Sequence, residues 1–234
     1  MISARTALLL AASGLVLFAP ALPAVSNAAG GEPAMCAGQV VTIDLNDPDA
    51  PDPNRDDSDV VLGTPIGELI RTGNGVDIVC GGPGEDVISL HGDAPAGARE
   101  AAYGGAGNDH LVSSPGDELL VGGPGPDEVI YHFKCGPGCT YPYPHHGVEV
   151  DLRLTGPQNT HGRGFDELVS IEYLGGTVWA DVLRGNAKVN RLEGHFGNDI
   201  VNGFRGADDL DGGRGTDRCI GGPGRDEYES CERR

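Results

Sequence analysis

An all-β stack of short strands, wound as a solenoid, is the fold this chain predicts, and three observations predict it. Between Gly176 and Glu229 an aspartate or asparagine recurs every nine residues: Asp181, Asn190, Asp199, Asp208, Asp217 and Asp226. Each closes a short hexad, usually glycine-bearing, and precedes a triplet with an apolar centre, as in GHFGND-IVN and GFRGAD-DLD. The same nonamer runs upstream, with Asp59, Glu68, Asp77 and Asp86 nine apart, then Asp109, Glu118 and Asp127 nine apart, and a partial unit ending in Asp166.

Each part of the unit has its own physical reason. Glycine enters positive φ without steric cost, so a hexad of Gly, Asp and Asn makes a tight turn. A triplet centred on Val, Leu or Ile makes a short strand whose middle side chain points inward. In the final block those inward residues are Leu183, Leu192, Val201, Leu210, Cys219 and Tyr228. One such strand cannot bury its own face, whereas about three or more stacked copies can.

The units GGAGND, GGPGED, GGRGTD and GGPGRD carry the pattern G-G-x-G-x-D-x-U-x with U apolar, which resembles the RTX (hemolysin-type calcium-binding) repeat family. The resemblance covers most of the chain after residue 53 and implies a right-handed parallel β-roll, a calcium-binding solenoid in which two nonamers complete one turn. Loops two units apart then stack, and several Ca²⁺ ions sit between them, held by loop carbonyls and by the acid closing each hexad. Calcium takes about six to eight oxygen ligands at roughly 2.3–2.6 Å, which carboxylates and carbonyls supply. By this resemblance the expected stacked pairs are Asp199 with Asp217, Asp208 with Asp226, Asp109 with Asp127, Asp59 with Asp77, and Glu68 with Asp86. The metal-site residues it implies are Asp59, Asp77, Asp86, Asp109, Asp127, Asp199, Asp208, Asp217 and Asp226. Glycines of the same loops complete the set: Gly104, Gly105, Gly107, Gly122, Gly123, Gly212, Gly213, Gly221 and Gly222. Asn190 is neutral, Glu118 is longer, and Trp179 stands where glycine is usual, so the sites at Asn190, Glu118 and Asp181 are expected to be weaker or empty.

Thirty-five acids against 16 bases leave a net charge of −19. That balance argues against nucleic acid and anionic membranes as partners. It also repels itself, and bound divalent cations relieve the repulsion, so metal binding is expected to drive folding. Arg5 followed by the apolar run 7–19 and small residues reads as a secretory leader over 1–28, too short for a membrane span. The mature chain is therefore expected to be secreted and extracellular. Six cysteines in an exported chain read as disulfides, with Cys36–Cys80, Cys135–Cys139 and Cys219–Cys231 the preferred pairing among connectivities that sequence leaves open.

The expected organisation is a leader at 1–28, an N-terminal cap at 29–53 and a first repeat block at 54–130 interrupted at 90–103. An irregular aromatic, His- and Cys-containing insertion with a bridge follows at 131–175. A second repeat block with its C-terminal cap fills 176–234, since solenoids need capped ends. Within the insertion His132, Cys135, Cys139, His145 and His146 are ligand types for zinc or copper, against a disulfide with histidines on a solvated loop. Tyr131, Phe133, Tyr141 and Tyr143 are either a stacking surface for a sugar or partner or a small satellite core.

No HExxH and no GxSxG motif is present, and the paired carboxylates follow from the repeat itself. The expected function is a secreted, non-catalytic calcium-binding module, structural or adhesive toward an extracellular or cell-surface glycan or protein. The alternative is a β-solenoid lyase or epimerase on an extracellular polysaccharide, which would need a basic groove. The chain offers only Lys134 and Lys188 with scattered arginines.

Overall fold

Short apolar-centred triplets separated by glycine turns can satisfy their backbone groups only by pairing with the next coil, and they do so throughout the chain. The computed structural model describes residues 34–47, 49–54, 57–90, 94–95, 97–131, 146–161 and 164–233. No helix occurs among them. The leader expected over 1–28 and the insertion residues 132–145 lie outside the described residues.

The strands form a parallel β-roll with two faces. The front face is one continuous eight-stranded sheet. It runs from Leu69–Arg71 through Val87–Ser89, His110–Val112, Glu128–Ile130, Tyr173–Gly175, Arg191–Glu193 and Asp209–Asp211 to Glu227–Glu229. The back face is split. Its first part runs from Ile43–Asp44 to Phe165–Val169, and its second from Glu149–Asp151 to Arg218–Ile220. Where the repeats run uninterrupted the partners lie 18 residues apart, two nonamers per coil: Val60 pairs with Ile78, Ile200 with Arg218 and Asp209 with Glu227.

The split has a topological cause. Glu149–Asp151 precedes Phe165–Val169 in the chain, yet it pairs forward with Val182–Arg184, while Phe165–Val169 pairs backward with Asp117–Val121. The chain doubles back between them through the antiparallel pair Gln158–Asn159 against Asp166 and Phe165. A cleft of about 320 Å³ marks the seam, lined by Leu152, Leu154, Leu168, Val169 and Ile171 with Lys188 at its rim. The back face is thus two strand ladders, and the front sheet is the one that runs unbroken through both halves.

One inward residue per strand builds the core, a single file between the faces. Leu183, Leu192, Val201, Leu210 and Cys219 are fully buried, as expected, and Tyr228 at the last coil is partly buried. Each fully buried aliphatic side chain contributes on the order of 1.5–3 kcal/mol. Both ends are pinned: Cys36 is bonded to Cys80, and Cys219 to Cys231. Cys135 and Cys139 lie outside the described residues. At the C-terminal end Glu232 substitutes for the missing next coil, its Oε2 accepting the Asp217 N–H at 2.6 Å.

Candidate metal centre

The acids closing the hexads form two rows, one along each long edge of the roll. The front row enters the eight-stranded sheet and comprises Glu68, Asp86, Asp109, Asp127, Glu172, Asn190, Asp208 and Asp226. The back row comprises Asp59, Asp77, Glu100, Glu118 and Asp166 before the seam, and Asp181, Asp199, Asp217 and Glu232 after it.

Along both rows one carboxylate oxygen accepts the backbone N–H of the acid one coil earlier. Asp127 Oδ1 takes the Asp109 N–H at 3.0 Å, Asp199 Oδ1 the Asp181 N–H at 2.8 Å and Asp226 Oδ1 the Asp208 N–H at 3.1 Å. The pairs expected from the period are all joined in this way. Asp86 also joins Asp109, although they are 23 residues apart, so the five extra residues loop out without breaking the row. Glu100 holds the same place behind Asp77, whose N–H it accepts.

The other carboxylate oxygen is the informative one. Oδ2 of Asp86, Asp109, Asp127, Asp199, Asp208 and Asp217 is buried without a hydrogen-bond partner among the described residues. Buried polar atoms are nearly always partnered, so a file of orphaned oxygens needs a reason. Beside each lies the glycine that opens the same hexad. A Cβ placed on Gly81 would fall against Asp86 Oδ2 and 2.6 Å from the Gly104 carbonyl, and one on Gly194 would fall against Asp199 Oδ2 and 2.6 Å from the Gly212 carbonyl. Gly104, Gly122, Gly203 and Gly221 similarly border the Oδ2 of Asp109, Asp127, Asp208 and Asp226, and Gly212 borders the Asp217 side chain at its Cβ and Cγ. Each glycine leaves a cradle walled by one carboxylate, with a carbonyl of the next coil adjoining at Gly81, Gly122, Gly194 and Gly212.

The second loop glycines Gly105, Gly123, Gly213 and Gly222 have φ of +117°, +125°, +87° and +92°. They turn successive carbonyls toward the next loop; the Gly105 carbonyl faces Gly123, and that of Gly107 faces Gly125. His195 and Phe204 take this position with φ of +67° and +72°, a conformation that costs a non-glycine residue about 1–2 kcal/mol.

Burial without a countercharge raises these carboxyls. Desolvation, against hydrogen bonds that lower it, pushes Asp86 and Asp127 up to about 6 and Asp199 to about 7, with neighbouring acids adding to the rise. A set of one carboxylate oxygen and convergent carbonyls, short of positive charge, suits a hard oxygen-seeking cation. Among the described residues no three His, Cys, Asp or Glu side chains converge, so carbonyls must supply the remaining ligands.

The RTX calcium-binding nonapeptide repeat matches in four copies, at residues 69–88, 98–129, 180–210 and 205–228. This chain carries RTX calcium-binding repeats. A comparison with curated proteins found no match. The repeat supports calcium binding in general, and the cradles fit the ion.

Several row positions differ from the rest. Asn190 Nδ2 donates to the Glu172 carbonyl at 3.1 Å, so an amide takes the direction that is orphaned elsewhere. Glu68 bonds Thr64, and both oxygens of Asp181 bond Thr177. Asp59 and Asp77, grouped by period with the expected ligands, add hydroxyl contacts: the Thr42 hydroxyl donates to Asp59 at 3.2 Å, and the Thr72 hydroxyl bonds Asp77, whose Oδ2 is buried without a hydrogen-bond partner among the described residues, like those beside the cradles. Thr72 opens the hexad of Asp77, the place that glycine holds before Asp86, Asp109, Asp127, Asp199, Asp208, Asp217 and Asp226. The period of the acids reveals none of this; Thr64, Thr72 and Thr177, at the first two places of their hexads, do. Of the insertion, Tyr131 is buried with its hydroxyl 3.2 Å from Asp166 Oδ2, a core position in place of the stacking surface. His146 Nδ1 lies 3.2 Å from the Gly147 carbonyl.

Proposed function

We propose that this chain is an exported, calcium-stabilised repeat module without catalytic machinery, structural or adhesive toward an extracellular or cell-surface glycan or protein. The orphaned Oδ2 file beside the glycine cradles carries this reading. Calcium held by Asp86, Asp109, Asp127, Asp199, Asp208, Asp217 and Asp226 with carbonyls of Gly104, Gly105, Gly107, Gly122, Gly123, Gly212, Gly213, Gly221 and Gly222 supplies the missing positive charge. Because the ions bind the folded roll and not the separated loops, they shift the population toward it. Affinity per site is on the order of 10⁻⁴–10⁻³ M, suited to an extracellular setting. The leader-like segment and the two disulfides support export.

The test is far-UV circular dichroism during a calcium titration, reversed with EDTA and repeated with magnesium. Magnesium demands a tighter octahedral shell and dehydrates reluctantly, so it should not replace calcium in carbonyl-lined loops. A calcium-specific, EDTA-reversible gain of β signal is expected. An identical folded spectrum throughout would sink the proposal.

A further inference from the structure

The back row before the seam opens its hexads differently from the front row beside it. Asn54, Thr72, Ser113 and His161 open the hexads that end in Asp59, Asp77, Glu118 and Asp166, where the front row uses Gly63, Gly81, Gly104 and Gly122. Hydroxyls follow the substitution. Ser114 Oγ lies between two carboxyls, 2.6 Å from Glu118 Oε1 and 3.1 Å from Glu100 Oε2, and the Ser114 N–H donates to Glu118 Oε1 at 2.7 Å. Thr160 Oγ1 donates to Asp166 Oδ2 at 2.9 Å, and the Tyr131 hydroxyl reaches the same oxygen. Ser113 also bonds Glu118. Glu100, Glu118 and Asp166 are all fully buried.

We infer that the N-terminal half takes calcium along its front row only, its back row being a metal-free ladder of carboxyls tied by hydroxyls that keeps this half folded when calcium is withdrawn. The inference rests on the calcium reading of the cradles above. Where glycine opens the hexads of Asp86, Asp109, Asp127, Asp199, Asp208 and Asp217, no hydroxyl bonds the carboxylate Oδ2. Where Thr72 or Ser113 opens the hexad, a hydroxyl bonds the carboxyl directly. The leftover oxygens, Asp77 Oδ2, Glu100 Oε1, Glu118 Oε2 and Asp166 Oδ1, have no hydrogen-bond partner among the described residues. A proton on these carboxyls removes the charge that a cation would otherwise have to offset. Burial favours that state, raising Glu118 to about 8 and Glu100 and Asp166 to about 7.

The seam makes the device local. The back ladder ending at Phe165–Val169 does not continue into the one starting at Glu149–Asp151. Loss of calcium from Asp199 and Asp217 therefore has no continuous back-face strand ladder into the N-terminal half; the ladders meet through the Gln158 side chain, which bonds the Asp151 backbone.

Hydrogen exchange of the full chain, in calcium and in EDTA, tests this. Amides of 101–103, 119–121 and 167–169 should keep their protection in EDTA to within a few-fold. Those of 200–202, 209–211 and 218–220 should exchange about 100-fold faster, as expected when ions present at about 100 times their dissociation constant are removed. Equal acceleration in both halves would overturn the inference alone. No acceleration anywhere would overturn the calcium reading and this inference with it. Ser114→Ala supplies a second arm. In EDTA it should speed exchange at 119–121 about ten-fold, the cost of one buried hydrogen bond, and leave 200–220 unaltered. Unchanged exchange at 119–121 would overturn the role given to the hydroxyls.

Discussion

The two halves of the roll share a strand length, a period and a front sheet, and they differ in what opens the turns of the back row. After the seam, Gly176, Gly194 and Gly212 precede Asp181, Asp199 and Asp217. Before it, Thr72 and Ser113 precede Asp77 and Glu118. The lesson is that the acid does not by itself make a calcium position in this fold. A buried carboxylate has to be neutralised by something, and on the inference above the residues opening its hexad bear on whether an ion or a proton does it.

The largest expected effect separates the halves by what pins them. Replacing Cys36 and Cys80 together by Ser should cost about 3–4 kcal/mol in urea unfolding, since the bridge closes a long loop. If the N-terminal half is held without calcium along its back row, that loss should be similar in calcium and in EDTA. A loss seen only in EDTA would mean that calcium supports this half as well.

A matched pair of isosteric substitutions sharpens the contrast. Asp208→Asn removes the charge in a glycine cradle and should forfeit about 2–3 kcal/mol of calcium-dependent stability, the linkage contribution of one well-filled site. In EDTA the same change should be neutral or stabilising, because an uncompensated carboxylate disappears and the amide can bond a carbonyl as Asn190 does. Glu118→Gln should change stability by less than about 1 kcal/mol at neutral pH in either condition, because the amide is neutral like the protonated carboxyl and its oxygen keeps the Ser114 bonds.

The smallest effect concerns pH. The Glu118 carboxyl is raised from its ordinary value to about 8 by burial, with the Asp166 charge adding to the rise. Below its unfolded value both states are protonated and its full contribution is present. As pH rises toward 8 the unfolded chain ionises first, and that stability is lost. Stability in EDTA should therefore decline from about pH 5 to pH 8, and Glu118→Gln should flatten the upper part of the curve. An unchanged slope in the variant would show that Glu118 is already ionised in the fold.

Much of this architecture was legible in the chain. A nine-residue phase with one apolar centre dictates stacked strands, and it placed Leu183, Leu192, Val201 and Leu210 in the core before any coordinates. The paired acids followed from the same count. Glu100 did not, because the extra residues before it hide the phase, although the roll loops them out and keeps the row. The doubling back of Glu149–Asp151 and Phe165–Val169 was equally hidden, since a strand's partner in a parallel stack is set by what lies 18 residues on only while the period holds. The division of the back row was written in the sequence all along, in Thr72 and Ser113, but attention to the acids passes over it.

The most direct test is an anomalous difference map from crystals of the full chain grown in calcium. The account predicts ions beside Asp86, Asp109, Asp127, Asp199, Asp208 and Asp217, and none beside Asp77, Glu100, Glu118 or Asp166. Cradles without peaks, or peaks along the hydroxyl-tied row, would contradict it.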